Sequence, residues 1–158
     1  MNENSHLPVF GVGPYLIFSI IAITSSAIAL TYYNIIPTIQ SNQIILTVIG
    51  VILIAAGALF WLSAVKNSEI DKNIKQNKLV TSGIYGIVRH PIYAAFLYAV
   101  TGLIFITNNL ILLVLPVLYW LILTVVMKNT EEKWLSELYR DDYLNYSKKV
   151  NRFIPKVL

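Results

Sequence analysis

Four apolar segments divide the chain, and a polar stretch separates each one from the next. Pro14–Tyr33 and Ile44–Val65 carry no charged side chain, and each matches the length of about 20 residues that a membrane-spanning helix needs. Ile92–Thr107 and Leu110–Met127 follow, with only Asn108-Asn109 between them. The pattern predicts an all-α integral membrane protein with about four transmembrane helices, the last two forming a tight hairpin.

The last two segments differ from regular spanning helices in length and in composition. At a rise of about 1.5 Å per residue, Ile92–Thr107 is too short to cross a hydrocarbon core of about 30 Å. We therefore expect tilting, local thinning of the bilayer or burial of its end against other helices. Pro116 lies inside the next segment, where a missing backbone donor predicts a kink.

All lysines and arginines lie in two regions, the Lys66–His90 loop and the tail after Met127. The Asn34–Gln43 loop and the Asn108-Asn109 turn contain none. Since basic residues favour the cytoplasmic side of a membrane, the loop, the tail and both termini are predicted to be cytoplasmic. The chain then reads as one domain, with two helices in residues 1–65, a loop in 66–91, a helical hairpin in 92–127 and a tail in 128–158. Within the loop, Asn67–Asn77 has the composition of a linker.

Composition narrows the function classes. The 158 residues are 56% hydrophobic and 13% charged, more apolar surface than a small soluble domain can bury. The absence of cysteine excludes disulfides and thiol nucleophiles, and two histidines argue against a dedicated zinc or iron centre. The net charge of +4 comes from basic residues that border apolar segments and mix with acids, which favours anionic lipid headgroups over nucleic acid as the partner.

The tail has the pattern of a helix. Thr130 has N-cap character, and the carboxylates of Glu131 and Glu132 follow in the first turn, where the helix dipole favours them. An apolar and aromatic stripe then runs at helical spacing through Trp134, Leu135, Leu138, Tyr139, Tyr143, Tyr146 and Val150. This helix is predicted either to lie along the membrane or to cap a cytoplasmic pocket.

The candidate chemistry lies where the third apolar segment begins. Pro91 is suited to a first helical position, so His90 and Tyr93 should share one face of the helix start. A helix start attracts a carboxylate, whereas Glu131 or Glu132 could pair with a cation. Together, the helix start and the glutamates could hold a charged cofactor against a lipid-soluble substrate. In the alternative interpretation, Arg89 and His90 only flank a membrane helix, and the two glutamates only begin one.

Five motifs resemble the isoprenylcysteine carboxyl methyltransferase family, which is related to the phospholipid N-methyltransferases. The resemblance covers about residues 77–155. It is carried by Leu79-Val80-Thr81-Ser82-Gly83-Ile84-Tyr85, Arg89-His90-Pro91-Ile92-Tyr93, Glu131-Glu132, Tyr143-Leu144-Asn145-Tyr146 and Arg152-Phe153-Ile154-Pro155.

The resemblance implies S-adenosylmethionine in a cytoplasm-facing pocket and a lipophilic or prenylated substrate that enters from the bilayer. The cofactor site would be lined by Leu79, Val80, Tyr85, His90, Pro91, Ile92, Tyr93 and Glu131. Carboxylate O-methylation is the first reading, and methylation of a lipid amine or phospholipid is the alternative. An amine or phenol acceptor must lose a proton, for which His90 and Glu132 are the candidate catalytic residues. The non-enzymatic hypothesis is a small membrane protein that interacts with partners and has no catalytic activity.

Three positions depart from the family pattern. Ala95 and Arg140 stand where relatives usually have glycine, and Met127 replaces an arginine that the family places four residues before the first glutamate. That arginine is associated with the substrate side, so Met127 and the adjacent Lys128 are the candidate substrate-binding residues. The missing cation predicts an acceptor that is less anionic than a prenylcysteine carboxylate.

Overall fold

In the part of the chain that the computed structural model describes, residues 12–66 and 78–156, the protein is built from helices joined by turns and short loops. Its helices are α1 (Gly13–Tyr32), α2 (Gln43–Lys66), α3 (Pro91–Ile106), α4 (Val114–Asn129) and α5 (Glu131–Lys149), with 3-10 turns at Gly83–Gly86 and Leu110–Leu113. Extended pairing in these residues is limited to a parallel bridge between Val88 and Asn151. The predicted all-α fold class is confirmed.

Three helical segments in the described residues are long and apolar enough to cross a membrane: α1, α2 and Leu110–Asn129, which joins the second 3-10 turn to α4. The 16-residue α3 is shorter, as its sequence predicts. Four spans and a hairpin stay predictions. The N-terminal residues and the linker-like Asn67–Asn77, both assigned above to the cytoplasmic side, lie outside the described residues.

Pro116 does not break a helix. The α-helix starts at Val114, which places Pro116 in its first turn. The N–H groups of a first turn have no intrahelical acceptor, so the missing donor costs no helical hydrogen bond there. The predicted kink is therefore wrong, and the backbone irregularity is the 3-10 turn that precedes the helix.

Small residues bring the backbones of α2 and α3 into contact. A Cβ atom added to Gly50 would lie 2.6 Å from the carbonyl oxygen of Gly102, and one added to Gly57 would lie 2.6 Å from that of Ala95. Gly50 and Gly57 are seven residues apart and therefore on one face, as are Ala95 and Gly102. Close approach through small residues is a common way for helices to associate in membranes. The sequence analysis missed this seam, although the heptad spacing of the glycines indicates it.

Buried asparagines fix the end of the bundle opposite to α5. The side chain of Asn108 accepts from Ser41 N at 3.0 Å and donates to Ser41 O at 3.2 Å. Asn109 donates to Pro37 O at 3.1 Å and accepts from Ile39 N at 3.3 Å. The α1–α2 loop and the α3–α4 turn, both without basic residues, therefore meet at one end, and the basic residues of the described segments lie at the other.

The interior is an apolar cluster between α1, α3, α4 and the C-terminal segment, with Ile20, Tyr93, Leu123, Met127 and Phe153 among its buried members. The outward faces of the long helices are also apolar and remain exposed, as Ile52 at 61% and Val117 at 57% illustrate. Such faces suit a hydrocarbon environment rather than water.

Candidate functional site

A cavity of about 250 Å³ lies at the end of the bundle where α3 and α5 begin. It brings together the eight residues named for the cofactor: Leu79, Val80, Tyr85, His90, Pro91, Ile92, Tyr93 and Glu131. Their binding role stays a prediction. The sequence analysis did not name the remaining lining residues for the site: Lys78, Arg89, Leu135, Tyr139, Tyr143 and Tyr146. For Tyr139, Tyr143 and Tyr146, the helical spacing of the tyrosines in the tail was the sequence signal that indicated a shared face.

A compact turn forms one wall of the cavity. Gly83 has φ of 61°, a conformation that glycine adopts without strain, and it opens the 3-10 turn. The buried Ile84 side chain anchors the turn. The hydroxyl of Tyr146 donates to Tyr85 O at 2.6 Å, which ties α5 to this wall.

The start of α3 forms a second wall. Pro91 is the first residue of the helix and His90 is its N-cap, as the sequence predicts. The C-terminal segment runs beside this start, where Arg89 N donates to Asn151 O at 2.8 Å and His90 N donates to Arg152 O at 3.0 Å. Two backbone hydrogen bonds thus fix the position of His90 relative to the end of the chain.

Glu131 presents a carboxylate to the cavity. The hydroxyl of Tyr93 donates to its Oε1, and the Nδ1 atom of His90 lies 3.5 Å from its Oε2. The side chain of Glu131 is 24% exposed, whereas that of His90 is 6% exposed. The carboxylate is therefore held by two neighbours and still accessible to a ligand.

Glu132 lies behind the cavity in an ion-pair cluster. Arg152 binds its two oxygens through Nε and Nη2, both at 2.8 Å, and Arg89 Nη2 lies 3.2 Å from Oε1. Burial alone would raise the pKa of Glu132, but the hydrogen bonds from His90 and Arg152 outweigh it and lower the pKa to about 2. The carboxylate is thus ionised and already paired with Arg152, Arg89 and His90, and it does not line the cavity. The geometry does not place it where a substrate proton would be released.

Burial and hydrogen bonds shift the pKa values of the histidine and the tyrosines that line the cavity. Burial would lower the pKa of His90, but hydrogen bonds to Glu131 and Glu132 raise it above the usual value. Burial raises the pKa of Tyr143 to about 12, against the opposing effect of Arg89, whose Nη1 donates to its hydroxyl at 3.1 Å. The phenols of the cavity are therefore protonated at neutral pH.

The two substrate candidates lie elsewhere. Met127 is completely buried in the apolar cluster, and Lys128 is exposed at the end of α4. Neither residue lines the cofactor cavity. The Met127 side chain packs into the protein interior, and the substrate-binding role of Met127 and Lys128 stays a prediction.

The two glycine departures have structural consequences. Arg140 interrupts α5 with φ of 45° and ψ of −120°, a conformation that favours glycine. The Ala95 carbonyl lies against Gly57 in the seam between α2 and α3. The family pattern therefore identifies one position where this chain carries backbone strain and one where helices approach closely.

A second, apolar cavity of about 300 Å³ lies on the flank of the bundle. It is lined by Leu53, Leu97, Tyr98, Thr101, Pro116, Val117, Trp120 and Ile154. Ile154 comes from the same C-terminal segment that carries Arg152 behind the first cavity. That segment therefore lines the second cavity through Ile154 and supports the first cavity through the contact between Arg152 and Glu132.

Comparison with known proteins agrees with the sequence motifs. The chain is 34% identical over 87 residues to protein-S-isoprenylcysteine O-methyltransferase of Schizosaccharomyces pombe. The aligned region covers 54% of this chain and 36% of the relative. It is 29% identical over 97 residues to methanethiol S-methyltransferase 1 of Bradyrhizobium diazoefficiens, with 61% and 33% covered. It is also 29% identical over 83 residues to the cobalt-zinc-cadmium resistance protein CzcN of Cupriavidus metallidurans, with 52% and 38% covered. No solved structure matches the chain.

These matches span less than half of the length of each relative. The family model described as phospholipid methyltransferase matches residues 45–142, which is more than half of the chain. The match covers nearly all of α2, all of α3 and α4, and α5 as far as Asp142. With its long apolar helices, the protein is an integral membrane protein. The resemblance seen in the motifs is confirmed, and the chain belongs to the phospholipid methyltransferase family.

Proposed function

We propose that this protein is a membrane methyltransferase that transfers a methyl group from S-adenosylmethionine to a lipophilic acceptor. The observation that carries the proposal is the Glu131 carboxylate, held by Tyr93 and His90 at the wall of a cavity. The cavity lies at the end of an apolar bundle where charged segments meet. A cationic cofactor and a membrane-dissolved substrate can therefore meet there.

The chemistry of the cavity fits S-adenosylmethionine. Glu131 can pair with the cofactor's ammonium or sulfonium. The first-turn N–H groups of Ile92 and Tyr93 lack intrahelical acceptors and suit its carboxylate. Arg89 also lines the cavity, and its buried Nε atom has no hydrogen-bond partner in the described structure. Leu79 and Val80 offer apolar contact to an adenine ring.

When bound, the cofactor supplies an electrophilic methyl group, and this chain's residues position it. Direct displacement needs alignment and exclusion of water more than it needs acid or base groups. The well-buried helix start and the cover of α5 tyrosines provide a largely dry wall around Glu131. Acceptors that are already deprotonated at neutral pH suit such a site best.

The favoured acceptor is a carboxylate on a long apolar molecule, as in isoprenylcysteine O-methylation. The name of the Schizosaccharomyces pombe relative supports this acceptor class, and the apolar second cavity between α2, α3 and α4 suits a hydrocarbon tail. Methylation of a lipid amine or phospholipid is the second candidate, which the family's description favours.

We propose that the cavity faces the cytoplasm. The described basic residues lie at the end of the bundle that contains the cavity, and the opposite end, built on Asn108 and Asn109, has none. The positive-inside rule then assigns the cavity end to the cytoplasmic side.

The test uses purified protein in lipid nanodiscs. Calorimetric titration with S-adenosylmethionine should show saturable binding. Labelled-methyl transfer should then occur to a prenylcysteine analogue, and the label should be released as methanol by mild base, as an ester requires. Base-stable label on a lipid amine would select the second candidate. A folded protein that binds no cofactor would leave the non-enzymatic interaction protein as the better description.

A further inference from the structure

His90 lies between two carboxylates. Its Nδ1 atom is 3.5 Å from Glu131 Oε2, and its Nε2 atom is 3.2 Å from Glu132 Oε1. The ring is 6% exposed and packs beside the aromatic ring of Phe153, with 5.9 Å between the centroids. Water therefore cannot easily replace either carboxylate as a partner.

This geometry determines how many protons the ring must carry. An ionised carboxylate only accepts hydrogen bonds, and a neutral imidazole has a single N–H. In the neutral form, one ring nitrogen would direct its lone pair at a carboxylate oxygen. Only the imidazolium form lets both nitrogens donate.

Two arginines complete the charged surroundings of the ring. Arg152 comes from the C-terminal segment and binds both oxygens of Glu132, and Arg89 comes from the segment before α3 and binds Oε1. These arginines keep Glu132 ionised and fix its rotamer. Glu131, on the other side, has no arginine in contact among the described residues, and Tyr93 is its second donor. The two carboxylates together balance the two arginines, so the ring proton leaves one positive charge in excess, and the direct contacts of both ring nitrogens with carboxylate oxygens are what hold it.

We propose that Glu132 is a positioning residue that, with Arg89 and Arg152, holds His90 as a cationic hydrogen-bond donor at the cavity wall. His90 then cannot act as the proton acceptor, and Glu132 acts only through His90. This deepens the proposed function, on which its catalytic consequence rests. With His90 and Glu132 unavailable as bases and Glu131 assigned to the cofactor, the site suits an acceptor that has no proton to lose, which is true of a carboxylate and not of a phenol or ammonium.

The test is ¹⁵N NMR of histidine-labelled protein without cofactor, so it is independent of whether the proposed function holds. The chain has only two histidines, and His6→Gln leaves His90 as the single signal. At pH 7.5 we expect two protonated ring nitrogens in the otherwise native chain. A ring with one protonated nitrogen at that pH would overturn the proposal without any further variant.

Variants then test the assignment to Glu132. In Glu132→Gln the arginines lose their counter-charge, so the midpoint of His90 should fall below that of wild type by at least one pH unit. Glu132→Asp keeps the charge but moves it one methylene away from the ring, so the midpoint of His90 should lie between the wild-type value and the value expected for Glu132→Gln. This variant serves as the test if Glu132→Gln does not fold. Lys156→Gln removes a charge from the exposed end of the same C-terminal segment and should change nothing. An unchanged midpoint in both Glu132 variants would refute the positioning role.

The catalytic consequence has its own measurement. For a prenylcysteine carboxylate, kcat should show no limb from His90 between pH 6 and pH 8 in wild type. A rise in kcat that follows the NMR midpoint of His90 would show that the neutral ring acts as a base and would overturn the proposal.

Discussion

At the residue scale, two adjacent glutamates of identical chemistry have different environments. Glu131 is partly exposed to the cavity, whereas Glu132 is buried against two arginines. Successive helical residues point about 100° apart, so one faces the cavity and the other faces the C-terminal segment. Sequence motifs identify the pair. Only the neighbours of each side chain show that Glu131 is available to a ligand and that Glu132 is not.

Replacing Glu131 tests ligand contact. Glu131→Gln should weaken S-adenosylmethionine binding by about 1.5–3 kcal/mol, because a hydrogen bond to a charged group is lost. The change is measured by titration calorimetry. Glu137→Gln is the matched control, since Glu137 is exposed on the same helix and should leave the affinity unchanged. Equal affinities in wild type, Glu131→Gln and His90→Ala would contradict the site.

Glu132 should make stability dependent on acid pH. Its pKa is lowered to about 2 in the folded protein, so its contribution is complete above the unfolded value near 4.5 and is lost as pH falls toward 2. Glu132→Gln should destabilise the protein by about 3 kcal/mol at pH 7, because the buried Arg89 side chain and the partly exposed Arg152 side chain lose their shared partner. Its unfolding midpoint should also depend less on pH between 4.5 and 2 than that of wild type, as thermal unfolding followed by circular dichroism would show.

His90 should have the opposite dependence. Its folded pKa is raised above 6.5, so its stabilising charge is present below that value and is lost as pH rises through the folded pKa. Wild type should therefore lose stability as pH rises from 6.5 through the folded pKa of His90, and His90→Gln should lack this loss. Thermal unfolding of both proteins from pH 6 to pH 9 measures the difference, and identical slopes would contradict it.

At the element scale, α5 contains a strained residue. Arg140 adopts a positive φ in the middle of the tail helix, at a position where the resemblance to the methyltransferase family leads one to expect glycine. Such strain costs on the order of 1–3 kcal/mol in a non-glycine residue, and glycine's extra entropy loss offsets part of it. Arg140→Gly should thus stabilise the protein by about 1 kcal/mol, whereas Arg140→Ala should not. Chemical denaturation of the three proteins compares them, and equal stability of both variants would contradict the strain.

The seam between α2 and α3 is the second element-scale feature. Gly57→Leu places a side chain against the Ala95 backbone and should force the helices apart, with loss of folded protein. Ala58→Leu adds the same side chain on an exposed face of the same helix and should be tolerated. Size-exclusion profiles and melting temperatures in detergent measure the contrast. Similar behaviour of the two variants would exclude a tight seam.

At the scale of the whole molecule, charge distribution predicts orientation. The native chain has no cysteine, so single cysteines report cleanly. Lys156→Cys should resist an impermeant thiol reagent in intact cells, because the segment that it ends packs beside the start of α3, whereas Gln40→Cys in the opposite loop should react. Asn2→Cys and Asn73→Cys, outside the described residues, should also resist. Labelling of Lys156→Cys with protection of Gln40→Cys would reverse the topology.

The sequence by itself determined the features that depend on neighbouring residues. Hydrophobic length predicted the apolar helices, Pro91 marked the start of α3, and the family motifs named eight residues that line one cavity. Pro116 was misread, because the start of a helix moves within an apolar run without changing its hydrophobicity. These are local properties of spacing and composition.

Only the tertiary structure decided which polar groups meet. Arg152 pairs with a glutamate 20 residues away, and His90 with one 42 residues away, so no local pattern reveals either contact. It also decided that Met127 packs into the interior and that Gly57 receives the backbone of α3. The physical reason is that ion pairs and close packing depend on how distant helices dock. Helix formation and membrane insertion depend mainly on residues that are near one another in the chain.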